Sequence, residues 1–251
     1  MAQDWSVFCK ETTTGDVIAG CLGGRGDQTY LDWILSAWGW TLTVSVGALL
    51  VALIVGVSVG TMRTLQDRPV LAWFGAAWVE LFRDIPLLVQ IFLWYFVIPD
   101  AFPVLKKCSP AVLVIVAIGL FTSARIAEQV RAGIRSLSHG QRSAALALGL
   151  TTARTYRHVL LPMALRIIIP PLTSEAMNVV KNSSVAFAVS ITELTFFARQ
   201  AGEETAAPIQ MYLAATILYG LTAFAVNRLM HAVERRSRIP GLAFAGMSAA
   251  H

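Results

Sequence analysis

Residues 33–62 read WILSAWGWTLTVSVGALLVALIVGVSVGTM, a run that contains no Asp, Glu, Lys or Arg. The hydrocarbon core of a bilayer is about 30 Å thick and takes about 20 helical residues at 1.5 Å each. This run is long enough to cross it. It also decides the fold class, because a helix satisfies its backbone polar groups internally, as lipid requires. Four more apolar segments approach that length, at 86–104, 111–134, 160–180 and 211–233. The sequence therefore predicts an all-α integral membrane protein, a five-span helical bundle. Two shorter apolar stretches fall below a full crossing. Residues 70–83, with Glu80, are expected at the interface or as an extension of the second span. Residues 185–197, with Glu193, are expected to form a partial helix near the outer face.

Composition agrees with the runs. The chain is 56% apolar and 14% charged, against roughly 45–50% and about 25% in soluble domains, and its mean hydropathy is +0.62. A net charge of +5 would suit nucleic acid, but the basic residues sit in clusters between apolar runs and no nucleic-acid signature accompanies them. They read instead as topology signals. Arg63, Arg68 and Arg83 fall in one inner group, Arg135, Arg142, Arg154 and Arg157 in a second, and Arg235, Arg236 and Arg238 in a third, with Arg131 and Arg166 just inside span ends on that side. The outer loops hold Lys10, Arg25, Lys106, Lys107 and Arg199, diluted by acids. The expected arrangement is N-out, C-in: a periplasmic tail at 1–32, a transmembrane domain at 33–233 and a cytoplasmic tail at 234–251. The start of the chain lacks the basic-then-apolar pattern of a cleaved signal, so the first span is expected to drive insertion. Cys9, Cys21 and Cys108 all fall outside; Cys9 and Cys21 share one tail, where a bridge and free thiols are both open.

The longest inner loop, 136–162, reads SLSHGQRSAALALGLTTARTYRHVLLP. Small residues at Ala144, Ala145, Ala147 and Gly149 permit close helix contact. The residues alone are equally compatible with a helix docked in a cytoplasmic partner and with an amphipathic connector on the membrane. The run resembles the coupling loop of ABC-importer permeases, which carries E-A-A, three residues, G, nine residues, then I-x-L-P. Here these are Ser143-Ala144-Ala145, Gly149 and Val159-Leu160-Leu161-Pro162, with Ser143 in place of the glutamate. That replacement removes a charge that could pair with the ATPase.

Three more segments resemble the polar amino-acid permeases in the same order. They are Glu80-Leu81-Phe82-Arg83 with Pro86-Leu87-Leu88-Val89-Gln90, then Ala127-Glu128 with Arg131 to Ile134, then Asn178 to Ser184. Within that family the resemblance is to the permeases of Gram-negative glutamate/aspartate importers. It implies a cytoplasmic coupling helix between spans 3 and 4, alternating access across the inner membrane, a second homologous permease subunit, an ATPase dimer and a periplasmic binding protein. ATP and Mg would belong to the ATPase partner; the chain has no phosphate-binding G-x-x-x-x-G-K-[ST] loop, no metal-ligand cluster and no nucleophile–base constellation, and it is expected to be no enzyme by itself.

Charges inside spans cost about 2.5–3.5 kcal/mol on insertion scales and point to function. Arg125 and Glu128 lie about one turn apart in the third span. Arg125 offers a planar fork to a carboxylate and Glu128 an acceptor for an ammonium, so an acidic amino acid fits the pair. The same two residues could instead neutralise one another as a structural pair. Gln90, Glu175 and Asn178 are further substrate-binding candidates at comparable depth, and Lys181 near the outer end could attract an anion or snorkel. Ser143, Ala144, Ala145, Gly149 and Pro162 are the coupling candidates. Pro170 and Pro171 are expected to interrupt the fourth span. A proton- or ion-channel subunit lined by Arg125, Glu128 and Glu175 is the rival reading, but a channel has no need of a docking helix at this spacing.

Overall fold

A computed structural model describes residues 5–21, 28–65 and 67–237; Arg25, Arg238 and most of the expected C-terminal tail lie outside the described residues. The first span is helix α1, Tyr30–Met62. Thr29 and Asp32 start it with a reciprocal capping box, the Thr29 hydroxyl accepting from the Asp32 amide and the Asp32 carboxylate from the Thr29 amide.

The second crossing differs from the expected single helix at 86–104. Helix α2, Pro69–Asp84, opens on a proline at its first position and closes at Ile85, whose backbone is extended as proline at the next position demands. The chain then bends by 104°. It continues as α3, Leu87–Phe92, a wide turn at Leu93–Val97 and α4, Ile98–Ala101. The stretch at 70–83 thus forms a helix of its own before the bend, and Pro86 marks the break at the position expected to start the second span. Lipid-depth breaks need internal partners for the freed carbonyls. Gln90 supplies them: its side-chain Nε2 donates to the carbonyls of Phe82 at 3.0 Å and Ile85 at 2.9 Å.

Helix α5, Pro110–Arg135, is the third span and the centre of the bundle. It runs against α1 at a separation set by glycine: a Cβ on Gly60 would lie 2.6 Å from the Ala127 carbonyl, and one on Gly119 would lie 2.6 Å from Val51 Cβ. Small residues permit this approach, and close backbone packing holds helices together in lipid. A short helix α6, His139–Ala147, follows. Then α7, Thr152–Thr155, and a wide turn at Tyr156–Leu160 lead into α8, Leu161–Asn182. Pro170 and Pro171 lie within α8, which continues through both, so the expected interruption is absent. Their missing amides remove hydrogen bonds, but the helix is held on both sides by buried Ile168, Leu172 and Ala176.

The partial helix expected at 185–197 also differs. Tight turns at Ser183–Val189 end at Ser190 in the left-handed conformation, and α9 begins only at Leu194, running to Thr205. Glu193 is its cap, accepting from the amides of Thr195 and Phe196, both at 2.9 Å. The last helix, α10, is Pro208–Ser237. Among the described residues four helical stretches are long and apolar enough to cross a membrane, five if the bent α2–α4 pair is one span. In the N-terminal tail Cys9 and Cys21 form a disulfide, while Cys108 is free. The tail packs Val7 into a cluster with Tyr30, Phe197 and Met211.

Candidate translocation site

Three spans bring their polar residues to one cavity of about 490 Å³, lined by Arg83, Phe121, Arg125, Glu128, Gln129 and Glu175. Small-molecule sites occupy about 300–1,000 Å³. Arg83 comes from the last turn of α2, just before the break; Glu175 comes from α8; the other four are on α5. The positions 121, 125, 128 and 129 recur at helical spacing, so one face of α5 forms a wall of the cavity.

Arg125 is, after Arg83, the most exposed charge there. Its side chain is 47% exposed, its guanidinium carbon lies 5.6 Å from the centre of the Phe121 ring, and its Nη1 is 3.8 Å from Glu175 Oε2. That separation is an ion pair without a hydrogen bond. Glu175, by contrast, has a side chain only 10% exposed. Its Oε1 accepts from Gln129 Nε2 at 3.2 Å, and the Asn178 amide one turn on adds a polar neighbour. Its Oε2 meets no donor at hydrogen-bond distance.

Glu128 is held differently. Its Oε1 lies 2.6 Å from Arg63 Nη1 and 3.8 Å from Arg83 Nη1, and its Oε2 accepts from Arg131 Nε at 3.1 Å. The self-neutralising Arg125–Glu128 pair that the helix spacing allowed does not form; Arg125 faces Glu175 on α8, and Glu128 pairs with Arg63, Arg83 and its own helix's Arg131. Around the cavity stand four arginines, at 63, 83, 125 and 131, for two carboxylates.

The other candidates are dispersed. Gln90 is 2% exposed and occupied at the α2–α3 break. Lys181 is exposed at the far end of α8, away from the cavity lining. Arg83, Phe121 and Gln129 are cavity residues that the sequence reading did not select. Arg83 is read from the sequence as an inner charge and as part of the family-like Glu80–Arg83 segment; that segment and its place three residues before Pro86 are the signals that point to it.

The coupling candidates sit on and after α6. Ser143 and Ala144 are exposed, Ala145 is buried, and Leu148 is 83% exposed. Gly149 ends the helix at φ +82, with its amide bonded to the Leu146 carbonyl and that of Leu150 to the Ala145 carbonyl, a left-handed cap for which glycine is suited. Pro162 lies at the start of α8. Beside α6 a second cavity of about 540 Å³ includes Arg63, Arg135, His139, Arg142 and Tyr156.

Residues 52–239 match the family described as binding-protein-dependent transport system inner membrane component. The chain is 41% identical over 248 residues to the glutamate/aspartate import permease protein GltJ of Escherichia coli K12, covering 95% of this chain and 96% of the relative. It is 30% identical over 212 residues to the glutamate/aspartate import permease protein GltK of Escherichia coli O6:H1, covering 82% and 94%. Among solved structures it is similar to the crystal structure of an amino acid ABC transporter with histidines, at a TM-score of 0.69 and 27% identity, over 82% of this chain and 95% of that one.

Proposed function

The chain belongs to the family of binding-protein-dependent transport system inner membrane components, and from that membership we propose that it forms part of the path by which an ATP-driven importer carries acidic amino acids across the inner membrane. Arg125 carries this reading. A guanidinium half-exposed in a mid-span cavity, with a single ion-pair partner at 3.8 Å, has most of its donors free for a carboxylate. The surplus of arginines over carboxylates around the cavity favours an anionic substrate over a neutral or cationic one. The names of the two Escherichia coli relatives are consistent with this choice.

ATP binding and hydrolysis belong to a separate ATPase pair in this reading. The exposed Ser143, Ala144 and Leu148 side chains offer that partner a small-residue helix with one apolar knob, and Gly149 and Pro162 fix its end and the entry to α8. With Ser143 at the position of the family's glutamate, docking would rest on shape and apolar contact more than on an ion pair. A homologous permease subunit would close the far side of the cavity, and a periplasmic binding protein would deliver the substrate. The orientation is N-out, C-in, with a periplasmic tail at 1–32, the membrane domain at 33–233 and a cytoplasmic tail at 234–251. Gln90, Asn178 and Lys181 keep supporting roles at most: the first holds the α2 break, the second flanks Glu175, and the third stands at the outer end of α8.

The test is transport of radiolabelled L-glutamate and L-aspartate by the complete importer in proteoliposomes, comparing the wild-type chain with Arg125→Ala. Loss of ATP-dependent uptake, with the complex still assembled, is the expected result. Undiminished uptake of both would remove Arg125 from the path.

A further inference from the structure

Glu128 and Glu175 line the same cavity, yet their cationic surroundings differ. Three guanidiniums already surround Glu128, at 2.6, 3.1 and 3.8 Å. An incoming ammonium would meet those like charges before it met the carboxylate. Glu175 faces one cation, Arg125, at 3.8 Å, and its Oε2 accepts no hydrogen bond although the side chain is nine-tenths buried. A buried carboxylate oxygen without a donor is costly, and such atoms in native proteins call for a missing partner.

We infer that Glu175 receives the ammonium of the transported amino acid, with Glu128 acting as the internal counter-ion of Arg63, Arg83 and Arg131. This rests on the reading of the cavity as a substrate site. Arg125 and Glu175 face each other from α5 and α8 at a separation too long for a hydrogen bond and short enough for strong attraction. The α-carbon of an amino acid carries a carboxylate and an ammonium. Placed across the gap, it presents its carboxylate to the Arg125 fork and its ammonium to Glu175 Oε2. One loose pair is thereby exchanged for two hydrogen-bonded ones without adding net charge from the α-groups. Gln129, which holds Oε1 at 3.2 Å, keeps the other oxygen turned to the gap; it is a positioning residue. The side-chain carboxylate of an acidic substrate then falls to the remaining surplus of arginines, of which Arg83 is the one lining the cavity.

The experiment measures stabilisation of the purified complete importer in lipid nanodiscs, without the delivering protein, against concentration of L-glutamate and of glutarate, the same skeleton lacking the ammonium. Ligands that bind the folded state raise its melting midpoint with concentration. The wild type is expected to need at least about tenfold less L-glutamate than glutarate for the same rise, equivalent to about 1.4 kcal/mol. In Glu175→Gln the two ligands should become equal. Retention of the wild-type preference in Glu175→Gln overturns the assignment. Should that variant not assemble, Glu175→Asp, which withdraws the carboxylate by one methylene, is expected to reduce the preference, and an unaltered preference again overturns it. If the wild type responds to a neutral amino acid and not to L-glutamate or L-aspartate, the acidic reading fails alone. Glu175 is then judged by the same comparison between that amino acid and its desamino analogue. A wild type stabilised by no amino acid overturns both.

Discussion

Arg63 at the end of α1 and Glu128 near the end of α5 lie 2.6 Å apart, although 65 positions separate them in the chain. Their contact ties together the two most extensively packed helices of the bundle. It also gathers Arg83 of α2 and Arg131 of α5 around one carboxylate.

Glu128→Gln leaves those three guanidiniums facing one another with no neutralising charge. Breaking a well-buried pair costs about 3–5 kcal/mol, and the partial exposure here, 13% and 27% for the two side chains, reduces that. The expected loss is about 2 kcal/mol. The melting midpoint of the purified complex should fall by roughly 4–8 °C; an unchanged midpoint would mean that the cluster contributes nothing to the bundle.

Gln90→Leu keeps the side chain's approximate bulk and removes both donors that serve the Phe82 and Ile85 carbonyls. One buried acceptor and one half-buried acceptor are then unpaired at the α2–α3 bend, at a cost of about 1–3 kcal/mol each when no water reaches them. The bend should loosen, so hydrogen exchange at residues 87–92 is expected to accelerate relative to α5. Unaltered exchange would show that the bend is held by packing alone.

The length of each span was legible because lipid imposes a minimum run of apolar residues, and the runs beginning at Trp33, Ala111 and Met211 have few polar interruptions. The second crossing was misplaced because apolarity continues on both sides of Asp84-Ile85-Pro86, so hydropathy could not report a 104° bend. Arg125 and Glu175 stood out singly, as charges at depth. Their pairing was not legible, since side-chain partners across helices depend on rotation and register that spacing within one helix does not fix. The same limit hid Arg63 behind Glu128. Gly149 is the opposite case: the end of α6 follows from a local rule, a glycine after the helix closing it in the left-handed conformation, here at φ +82.

Ala144→Trp places a large side chain on the exposed face of α6 while Ala145, on the buried face, is untouched. If α6 docks against the ATPase, loss of about 1.4 kcal/mol of docking free energy is a tenfold weaker association. The amount of ATPase co-purifying under dilution should fall accordingly, with the melting behaviour of the permease retained. Equal co-purification would place the docking surface elsewhere.

Glu193 gives a prediction in pH. Burial pushes its carboxyl above the ordinary 4.5, partly offset by the Thr195 amide, the Tyr219 hydroxyl and the Phe196 amide. A raised carboxylate pKa means that the folded chain holds more protons than the unfolded one between 4.5 and the raised value. Stability therefore falls as pH rises through that window. Glu193→Gln removes this component while losing one cap acceptor, a cost of about 1 kcal/mol. The melting midpoint of wild type minus that of the variant should shrink as pH rises above 4.5, and a difference that grows with pH would contradict the assignment.

Arg125→Lys separates charge from geometry. A lysine retains a positive charge but replaces the planar fork with a compact, strongly hydrated ammonium on a flexible stem, and it cannot hold a carboxylate by two parallel bonds. Loss of one charge-assisted hydrogen bond is worth about 1.5–3 kcal/mol, so passage through the cavity should slow by at least about tenfold. In the proposed importer the concentration for half-maximal uptake is set where a periplasmic protein captures the substrate, before the cavity is reached. The deficit should therefore appear in the maximal rate of uptake, with the half-saturating concentration little changed. A variant with wild-type maximal rate would show that a point charge is sufficient at this position. One whose half-saturating concentration alone rises would place Arg125 at the step of capture instead of passage.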